Sequence, residues 1–87
     1  MKELKWDPLK SAWLKRARGL SFEEIIQERF IAVRRHPRRL HQNLMLFERQ
    51  SYIGCVPYVD DDDWIILKTL YPRRQYTAMF RKGELTS

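Results

Sequence analysis

The chain has 87 residues, of which 44% are hydrophobic and 13% aromatic, enough for one folded domain with a thin core and too many for a disordered chain. It carries 17 Lys and Arg against 11 Asp and Glu, a net charge of +6. No apolar run approaches the roughly 18 residues of a membrane span, and one cysteine, Cys55, excludes an intramolecular disulfide. We therefore expect a single cytoplasmic domain over residues 1–87, without a signal peptide or membrane contact.

The N-terminal part predicts a strand and a first helix. Residues 2–6 alternate polar and apolar side chains, as a short strand does. Asp7 and Pro8 are typical of an N-cap and a first helical position, and Gly19 is placed to end the helix in a left-handed turn. Apolar residues recur at three- and four-residue spacing, which predicts one buried stripe. The stripe consists of Leu9, Ala12, Trp13 and Ala17.

A capping box marks the start of a second helix, with Ser21 at the N-cap and Glu24 at the third helical position. Its predicted buried face contains Phe22, Ile25, Ile26 and Phe30. Residues 31–42 have the least regular pattern. We interpret them as a short extended piece followed by a basic loop that is broken at Pro37.

Three strands with clearer patterns follow. They cover residues 43–48, 52–59 and 64–71, joined by a turn at 49–51 and a polar loop at 60–63. Pro57 favours a sheet edge or a bulge for the second of them. Residues 73–85 predict at most two helical turns, with fraying at Gly83. The order β-α-α-β-β-β, in which the last three strands form a meander, predicts a small α+β domain.

Two features that suggest metal or thiol chemistry have simpler interpretations. The aspartates at 60–63 offer the oxygen ligands that magnesium and calcium prefer, but the spacing and glycine of a calcium loop are absent. A solvated hairpin loop explains them. Cys55 stands in a predicted strand without charged neighbours in sequence, which indicates a buried structural thiol. We expect neither a metal nor a cofactor.

Basic residues are concentrated in one segment. Between Arg29 and Phe47 there are five arginines, two histidines and no acidic residue. A segregated basic surface attracts polyanions, of which nucleic acid is the commonest, although solubility alone also explains a charge of this size. The loop arginines predicted to bind nucleic acid are Arg34, Arg35, Arg38 and Arg39.

His36 and His41 lie in the same basic segment. Two imidazoles near arginines can act as general base and acid on RNA at neutral pH, and neighbouring arginines favour the neutral imidazole, which suits a base. The alternative is that both are exposed loop histidines without a role.

Cations and phenols also meet at the end of the last predicted strand. Lys68 shares a strand face with apolar residues, and Arg73 and Arg74 follow a proline that fixes the chain direction. Guanidinium groups bind phosphate through two parallel hydrogen bonds. Tyr71 and Tyr76 either stack on unpaired bases or belong to the core. The alternative for the two arginines is that they cap the sheet or bind an acidic partner.

Two stretches carry a family resemblance. The first combines residues 4–8 (Leu-Lys-Trp-Asp-Pro), Lys10 and residues 19–24 (Gly-Leu-Ser-Phe-Glu-Glu); the second combines residues 56–62 with residues 67–74 (Leu-Lys-Thr-Leu-Tyr-Pro-Arg-Arg). Together they resemble the BrnT-type toxins of bacterial and archaeal toxin–antitoxin modules. The pattern differs after the second helix, where the segment is arginine-rich and Asn43 stands in place of a basic residue.

This resemblance implies a RelE-like ribonuclease fold, with a twisted antiparallel sheet packed against the two N-terminal helices. It also implies a toxin that cleaves RNA until a small antitoxin, often of the ribbon-helix-helix class, covers it. Arg73 and Arg74 match the paired arginines of the family, and His36 matches its histidine. The implied chemistry needs no metal, because the RNA 2′-hydroxyl attacks the adjacent phosphate. The residues predicted to be catalytic are Arg73, Arg74, Lys68, His36 and Tyr76, with His41 and Glu48 as further proton-transfer candidates and Tyr71 as an RNA-binding residue.

Two other functions fit the same residues. One is a non-catalytic module that binds RNA or DNA through the basic face. The other is a protein-interaction domain whose positive surface meets an acidic protein.

Overall fold

Residues 2–85 are described by a computed structural model and form a mixed α+β fold. The described strands are β1 (Glu3–Lys5), β2 (Arg29–Arg35), β3 (Asn43–Arg49), β4 (Tyr52–Asp60), β5 (Trp64–Leu67) and β6 (Tyr71–Pro72). The helices are α1 (Pro8–Arg18), α2 (Phe22–Ile25) and α3 (Arg74–Arg81). The predicted α+β class is confirmed.

The sheet has the order β1-β5-β4-β3-β2, and β6 pairs with β4 beyond the end of β5. All neighbouring strands are antiparallel except β1, which runs parallel to β5. The prediction of a purely antiparallel sheet is therefore wrong at this edge. A parallel pair requires a long crossover, and the two helices and three strands between β1 and β5 provide one.

Helices cover both faces of the sheet. On one face the buried side chains of α1 and α2 pack against Phe47, Val56 and Leu67. On the other, Leu44, Leu46, Ile53 and Cys55 form a core against which α3 packs. Strand β3 contributes to both cores, Phe47 to the first and Leu44 and Leu46 to the second. This follows from the two-residue period of a strand, in which successive side chains point to opposite faces. The sequence analysis placed helices on one face only and missed the role of α3 in the core.

Helix α1 begins and ends as predicted, but its buried face differs. The Asp7 side chain accepts a hydrogen bond from the backbone N–H of Leu9 at 2.9 Å, and Gly19 ends the helix with φ +79°. The buried residues are Ser11 and Leu14, whereas Leu9 is 80% and Trp13 43% exposed. The predicted apolar stripe is wrong, because the face toward α2 and the sheet is the one that carries Leu14.

Helix α2 has the predicted capping box but only four residues. Phe30, predicted on its buried face, is half exposed on β2 and packs edge-on against Phe47 at 5.8 Å between ring centroids. The extended piece predicted at the start of residues 31–42 is part of β2, which begins earlier, at Arg29, and ends at Arg35, and the predicted basic loop follows it. The register of β2 with β3 shifts between Phe30 and Ala32, so one extra residue in β2 forms a bulge. The bulge interrupts the alternation of inward and outward side chains that indicates a strand in a sequence.

The predicted strand over residues 64–71 is broken into β5 and β6. β4 pairs with β5 through Tyr58–Asp60 and with β6 through Gly54 and Cys55, so Pro57 lies between the two ladders. The Pro57 carbonyl accepts a hydrogen bond from the Lys68 backbone N–H at 2.8 Å. Since the N–H and C=O groups of one strand residue point to the same side, the missing N–H of Pro57 falls in this gap. The proline therefore lies inside the sheet, at its local interruption.

Candidate nucleic-acid interface

Four of the basic residues predicted for the site, His36, Arg38, Arg39 and Lys68, line one cavity of about 460 Å³. We call it the basic cavity; its lining includes His36, Arg38, Arg39, Gln42, Lys68 and Tyr71. The β2–β3 loop supplies the first four of these residues; Lys68 lies in the break between β5 and β6, and Tyr71 is the first residue of β6. None of the described residues that line it is acidic. Residues distant in sequence thus form one positively charged concave surface.

The imidazole of His36 holds the β2–β3 loop in shape. Its Nδ1 accepts hydrogen bonds from the backbone N–H groups of Arg38 and Arg39, both at 3.1 Å. The His36 backbone N–H donates to the Gln42 carbonyl at 3.3 Å, closing the loop. Because Nδ1 accepts in both contacts, the neutral ring carries its proton on Nε2. His36 therefore offers a donor to the cavity.

Burial and the surrounding positive charges both favour the neutral form of this ring. Burial is the largest cause that lowers the pKa of His36 below 6.5, followed by the positive charges of Arg39, Arg73, Arg38 and His41. Protonation would also place an N–H at Nδ1 against the two backbone N–H groups. The expected neutral imidazole agrees with this lowered pKa, but the tautomer differs from that of a general base, whose accepting nitrogen must be free.

Lys68 and Tyr71 enter the cavity from the interrupted part of the sheet. The hydrogen bond from the Lys68 backbone to Pro57 fixes the chain where β5 ends, and the Lys68 side chain is exposed. Tyr71 lies in β6 opposite Cys55 and is half-buried. The interruption that the sequence did not predict is what brings the ammonium and the phenol together.

Arg73 and Arg74, predicted to act as a pair, lie in different surroundings. The Arg73 backbone N–H donates to the Ile53 carbonyl at 3.2 Å, and its guanidinium lies 5.4 Å from the centroid of the Tyr76 ring. Its charge is one of the lesser causes that lower the pKa of His36, but Arg73 itself does not line the basic cavity. Arg74, the first residue of α3, lines a separate cavity with Tyr52 and Arg81.

The ring of Tyr76 lies against the Arg73 guanidinium. It is half-buried, packs against the core on the α3 face and lies beneath the Arg73 guanidinium. A cation over an aromatic face is attracted by the ring quadrupole, typically by about 0.5–1 kcal/mol at exposed sites. Tyr76, which the sequence analysis placed among the catalytic residues, thus contacts Arg73 and does not line the basic cavity.

The remaining predicted residues lie outside the basic cavity. Arg34 and Arg35 belong to β2 and not to a loop; the Arg34 guanidinium donates to the Val33 carbonyl at 2.8 Å, and Arg35 pairs in register with Asn43. His41 is exposed on the β2–β3 loop. Glu48 lies near the opposite end of β3, where it accepts a hydrogen bond from the Ser51 backbone at 3.0 Å. Glu48 is thus too far along the strand to act with His36.

A second cavity of about 280 Å³ adjoins the first. We call it the tyrosine cavity; its lining includes Tyr52, Tyr71, Arg18 and Arg49 and the buried residues Ile25 and Ile53. Tyr71 lines both cavities, so the two share a wall. The sequence analysis did not single out Arg18, Arg49 or Gln42 as site residues, because each belongs to an element whose packing partner the sequence does not reveal.

Neither cavity is lined by an acidic residue among those described, and Cys55 is buried. Asp60 pairs with Lys2 at the β4–β5 turn. Burial raises the pKa of the Cys55 thiol to about 12, as a structural thiol requires.

Within residues 2–85, no group of three or more His, Cys, Asp or Glu side chains is arranged to hold a metal ion. None of the helices described is long and apolar enough to cross a membrane.

Comparison with known proteins gives no relative: no family model matches this chain, and no curated protein or solved structure is significantly similar to it.

Proposed function

We propose that this chain is a metal-independent endoribonuclease and the toxin of a toxin–antitoxin pair. The observation that supports RNA cleavage best is that Arg38, Arg39, Lys68 and Tyr71 line one cavity together with His36. Within residues 2–85, no carboxylate forms an ion pair with these three cations. A phosphodiester is the anion that such a donor-rich surface recognises, because guanidinium and ammonium groups donate to its oxygens.

The proposed reaction is an attack of the RNA 2′-oxygen on the adjacent phosphorus. The O2′–P bond forms, the P–O5′ bond breaks, and the products carry a 2′,3′-cyclic phosphate and a 5′-hydroxyl. Arg39 and Arg73 stabilise the charge on the phosphate oxygens, and the His36 Nε2–H donates to one of them. Lys68 donates a proton to the leaving O5′. The Tyr71 phenol oxygen accepts a hydrogen bond from the 2′-hydroxyl, whose proton passes to water.

The magnitudes of these contributions favour electrostatic catalysis. Removing one preorganised donor typically costs about 10²- to 10³-fold in rate, and positioned acid–base groups contribute about 10²- to 10⁴-fold. The proposed site has several donors but no side chain in the position of a strong general base. We therefore assign most of the rate enhancement to stabilisation of the phosphorane by cations.

The toxin and its partner follow from the resemblance to BrnT-type toxins. Two helices after the first strand, on one face of the sheet, support a RelE-like arrangement, and the capping box at Ser21 belongs to the motif that carries the likeness. We propose a small antitoxin, of the ribbon-helix-helix class, as the partner that blocks the basic cavity. Growth arrest on expression, relieved by the protein encoded in the neighbouring reading frame, tests this part.

The cleavage experiment compares four proteins, each freed from any co-purifying partner, on single-stranded RNA with EDTA present. The wild type should release 2′,3′-cyclic phosphate ends, and Arg73→Ala should lower the rate by about 10²- to 10³-fold. Arg73→Lys should recover only part of it, because an ammonium lacks the planar fork that donates twice to a phosphate. Arg16→Ala removes the same charge from an exposed position of α1 and should cleave like the wild type. Equal rates in all four proteins would contradict the proposal.

A second candidate function is RNA binding without cleavage. It is favoured by the geometry of His36, whose Nδ1 is occupied by two backbone donors and cannot accept the 2′-hydroxyl proton. This alternative predicts salt-sensitive RNA binding, weakened in Arg73→Ala, with no product from any variant.

A further inference from the structure

Gln42 is a nearly buried polar residue of the basic cavity whose side chain has no partner in the described part of the chain. The residue lines the cavity and is 6% exposed. Its backbone N–H donates to the Arg39 carbonyl at 3.0 Å, and its backbone carbonyl accepts from the His36 N–H at 3.3 Å. Within residues 2–85, however, the side-chain amide makes no hydrogen bond. Burying an amide without a partner is unfavourable, so this group calls for an explanation.

The free amide of Gln42 opens into the basic cavity. Among the residues that the structure describes, none of the fully buried side-chain nitrogen and oxygen atoms lacks a hydrogen-bond partner. Because the Gln42 amide has no partner, its polar atoms are not fully enclosed, and the cavity that Gln42 lines is the space open to them. The two backbone hydrogen bonds fix the position from which the side chain starts. An amide held in this way is suited to bind a ligand group inside the cavity.

This amide supplies an acceptor to a lining that consists mainly of donors. Four lining side chains offer only donors to a ligand: His36 through Nε2, Arg38, Arg39 and Lys68. The hydroxyl groups of Thr69 and Tyr71 both donate and accept, whereas Gln42 Oε1 only accepts. Because side-chain dipoles orient in the local field, the surrounding cations favour the amide orientation in which Oε1 faces the cavity. A ligand that matches this lining therefore carries a hydrogen-bond donor as well as a negative charge.

Exposure separates the two parts of the cavity. The side chains of Arg38, Arg39 and Lys68 are exposed, whereas Gln42 is almost buried. The cations can therefore meet a phosphate that stays in contact with water, and Gln42 meets the part of the ligand that enters the cavity. A volume of about 460 Å³ lies within the range of small-molecule sites and exceeds what a phosphate alone fills.

We propose that Gln42 recognises a nucleobase with an exocyclic amino group, in the nucleotide whose phosphate the cations of the basic cavity bind. This inference rests on the proposed function, in which the ligand is RNA and the 2′-hydroxyl donates to Tyr71. The amino group donates to Gln42 Oε1, and the amide nitrogen donates to the ring nitrogen beside the amino group, as in the pairing of glutamine with adenine. Bases of single-stranded RNA expose such edges, because they are not paired with another strand.

The test uses two 2′-O-methyl hexanucleotides, which cannot be cleaved because the attacking hydroxyl is blocked. One is an adenosine oligomer, and the other is its purine-riboside counterpart, in which every base lacks only the amino group. Since all six positions change, the result does not depend on which nucleotide occupies the cavity. Affinities are measured by fluorescence anisotropy at one fixed salt concentration. The wild-type chain should bind the adenosine oligomer about tenfold more tightly, because the other oligomer leaves the acceptor of Gln42 unpaired.

Two variants assign this preference to Gln42. Gln42→Met removes the amide and keeps the length of the side chain, so its affinities for the two oligomers should differ by less than about twofold. Gln27→Met makes the same replacement at an exposed position and should keep the preference of the wild type. Any difference in stacking between the two oligomers is common to all three proteins and cancels in this comparison.

Stability provides a second readout of the same amide. Because the Gln42 side chain has no hydrogen-bond partner within residues 2–85, Gln42→Met should unfold at the same urea concentration as the wild type or at a higher one. An amide that was hydrogen-bonded inside the protein would make this variant less stable instead. The urea midpoint of Gln27→Met should remain that of the wild type.

An equal preference in the wild type and Gln42→Met would overturn the inference and leave RNA binding at the basic cavity intact. Equal weakening of both oligomers in Gln42→Met would also overturn it, since the amide would then not distinguish the amino group. A clear loss of stability in Gln42→Met would overturn it as well, because the amide would then have a partner in the protein. If neither oligomer binds and single-stranded RNA is not cleaved, the proposed function fails together with the inference.

Discussion

The two charged regions of this molecule use their charges in opposite ways. At α2 the carboxylates have partners within the protein: Glu23 accepts hydrogen bonds from Ser11 and from Trp6 Nε1, and Glu24 accepts one from Lys15 at 2.9 Å. Within residues 2–85, Arg38, Arg39 and Lys68 have no carboxylate partner. The acidic region thus stabilises the contact between α1 and α2, whereas the cations of the basic cavity remain available for an external anion.

The pKa shifts of the two regions express the same difference. The hydrogen bond from Ser11 is the largest cause that lowers the pKa of Glu23, and that from Lys15 is the largest cause that lowers the pKa of Glu24, to about 2. These carboxylates are better stabilised in the folded chain than in the unfolded one. In the basic cavity the pKa of His36 is lowered first by burial and then by repulsion from the neighbouring positive charges. Like charges on a binding surface repel one another until a ligand of opposite charge neutralises them.

The largest effect on stability is expected from Ser11→Ala. The buried Ser11 hydroxyl accepts a hydrogen bond from the Phe22 backbone N–H at 3.0 Å and donates to Glu23. Its removal leaves a buried donor without a partner, which typically costs about 1–3 kcal/mol. Urea unfolding measures this loss. Ser51→Ala, at an exposed turn position, is the control and should change stability by less than about 0.5 kcal/mol; equal losses in both would contradict the structural role of Ser11.

Salt dependence should distinguish the two regions next. Lys68→Ala removes a cation from the basic cavity, so the slope of log K against log salt concentration for single-stranded RNA should become shallower by about 0.7. Lys15→Ala removes a cation that is already paired with Glu24, and its slope should remain that of the wild type. Binding titrations at four or more salt concentrations measure both. Identical changes in the two variants would mean that RNA contact is not confined to the basic cavity.

The variant His36→Asn tests whether the lowered pKa of His36 makes the stability of the protein depend on pH. The unfolded chain protonates this imidazole more readily than the folded chain, so its contribution to stability is complete above pH 6.5 and is lost as the pH falls below that value. Asn keeps an acceptor for the loop N–H groups but does not titrate. The stability of the variant relative to wild type should therefore rise between pH 7 and pH 5. A constant difference over that range would contradict the lowered pKa.

The smallest effect concerns the exposed pair Glu24 and Lys15. Because the pKa of Glu24 is lowered from 4.5 to about 2, its contribution is present above pH 4.5 and is lost as the pH falls toward 2. In Lys15→Met this loss should become smaller, because the ion pair is the largest cause of the shift. Thermal unfolding between pH 5 and pH 2 measures it, with exposed Lys82→Met as a control that should follow the wild type.

Local signals in the sequence determined the elements whose cause is local. The caps at Asp7, Gly19 and Ser21 and the two turns of α3 follow from residue types within a few positions of one another. The buried Cys55 also follows, since a thiol in an apolar strand has no polar partner to reach. The exposed faces of α1 were misassigned because its apolar residues at helical spacing lie on the side away from the sheet, and spacing does not reveal which side the rest of the chain covers.

By itself the sequence determined that the protein is an α+β chain with a segregated basic surface, because periodicity and charge are properties of the residues alone. Only the tertiary structure decided that His36 and Lys68 share a cavity and that Arg73 and Arg74 separate. The first depends on the gap in the sheet at Pro57, where β4 changes its partner. The second depends on the start of α3, which turns consecutive side chains to different sides. Both are consequences of long-range pairing, which no short stretch of the sequence contains.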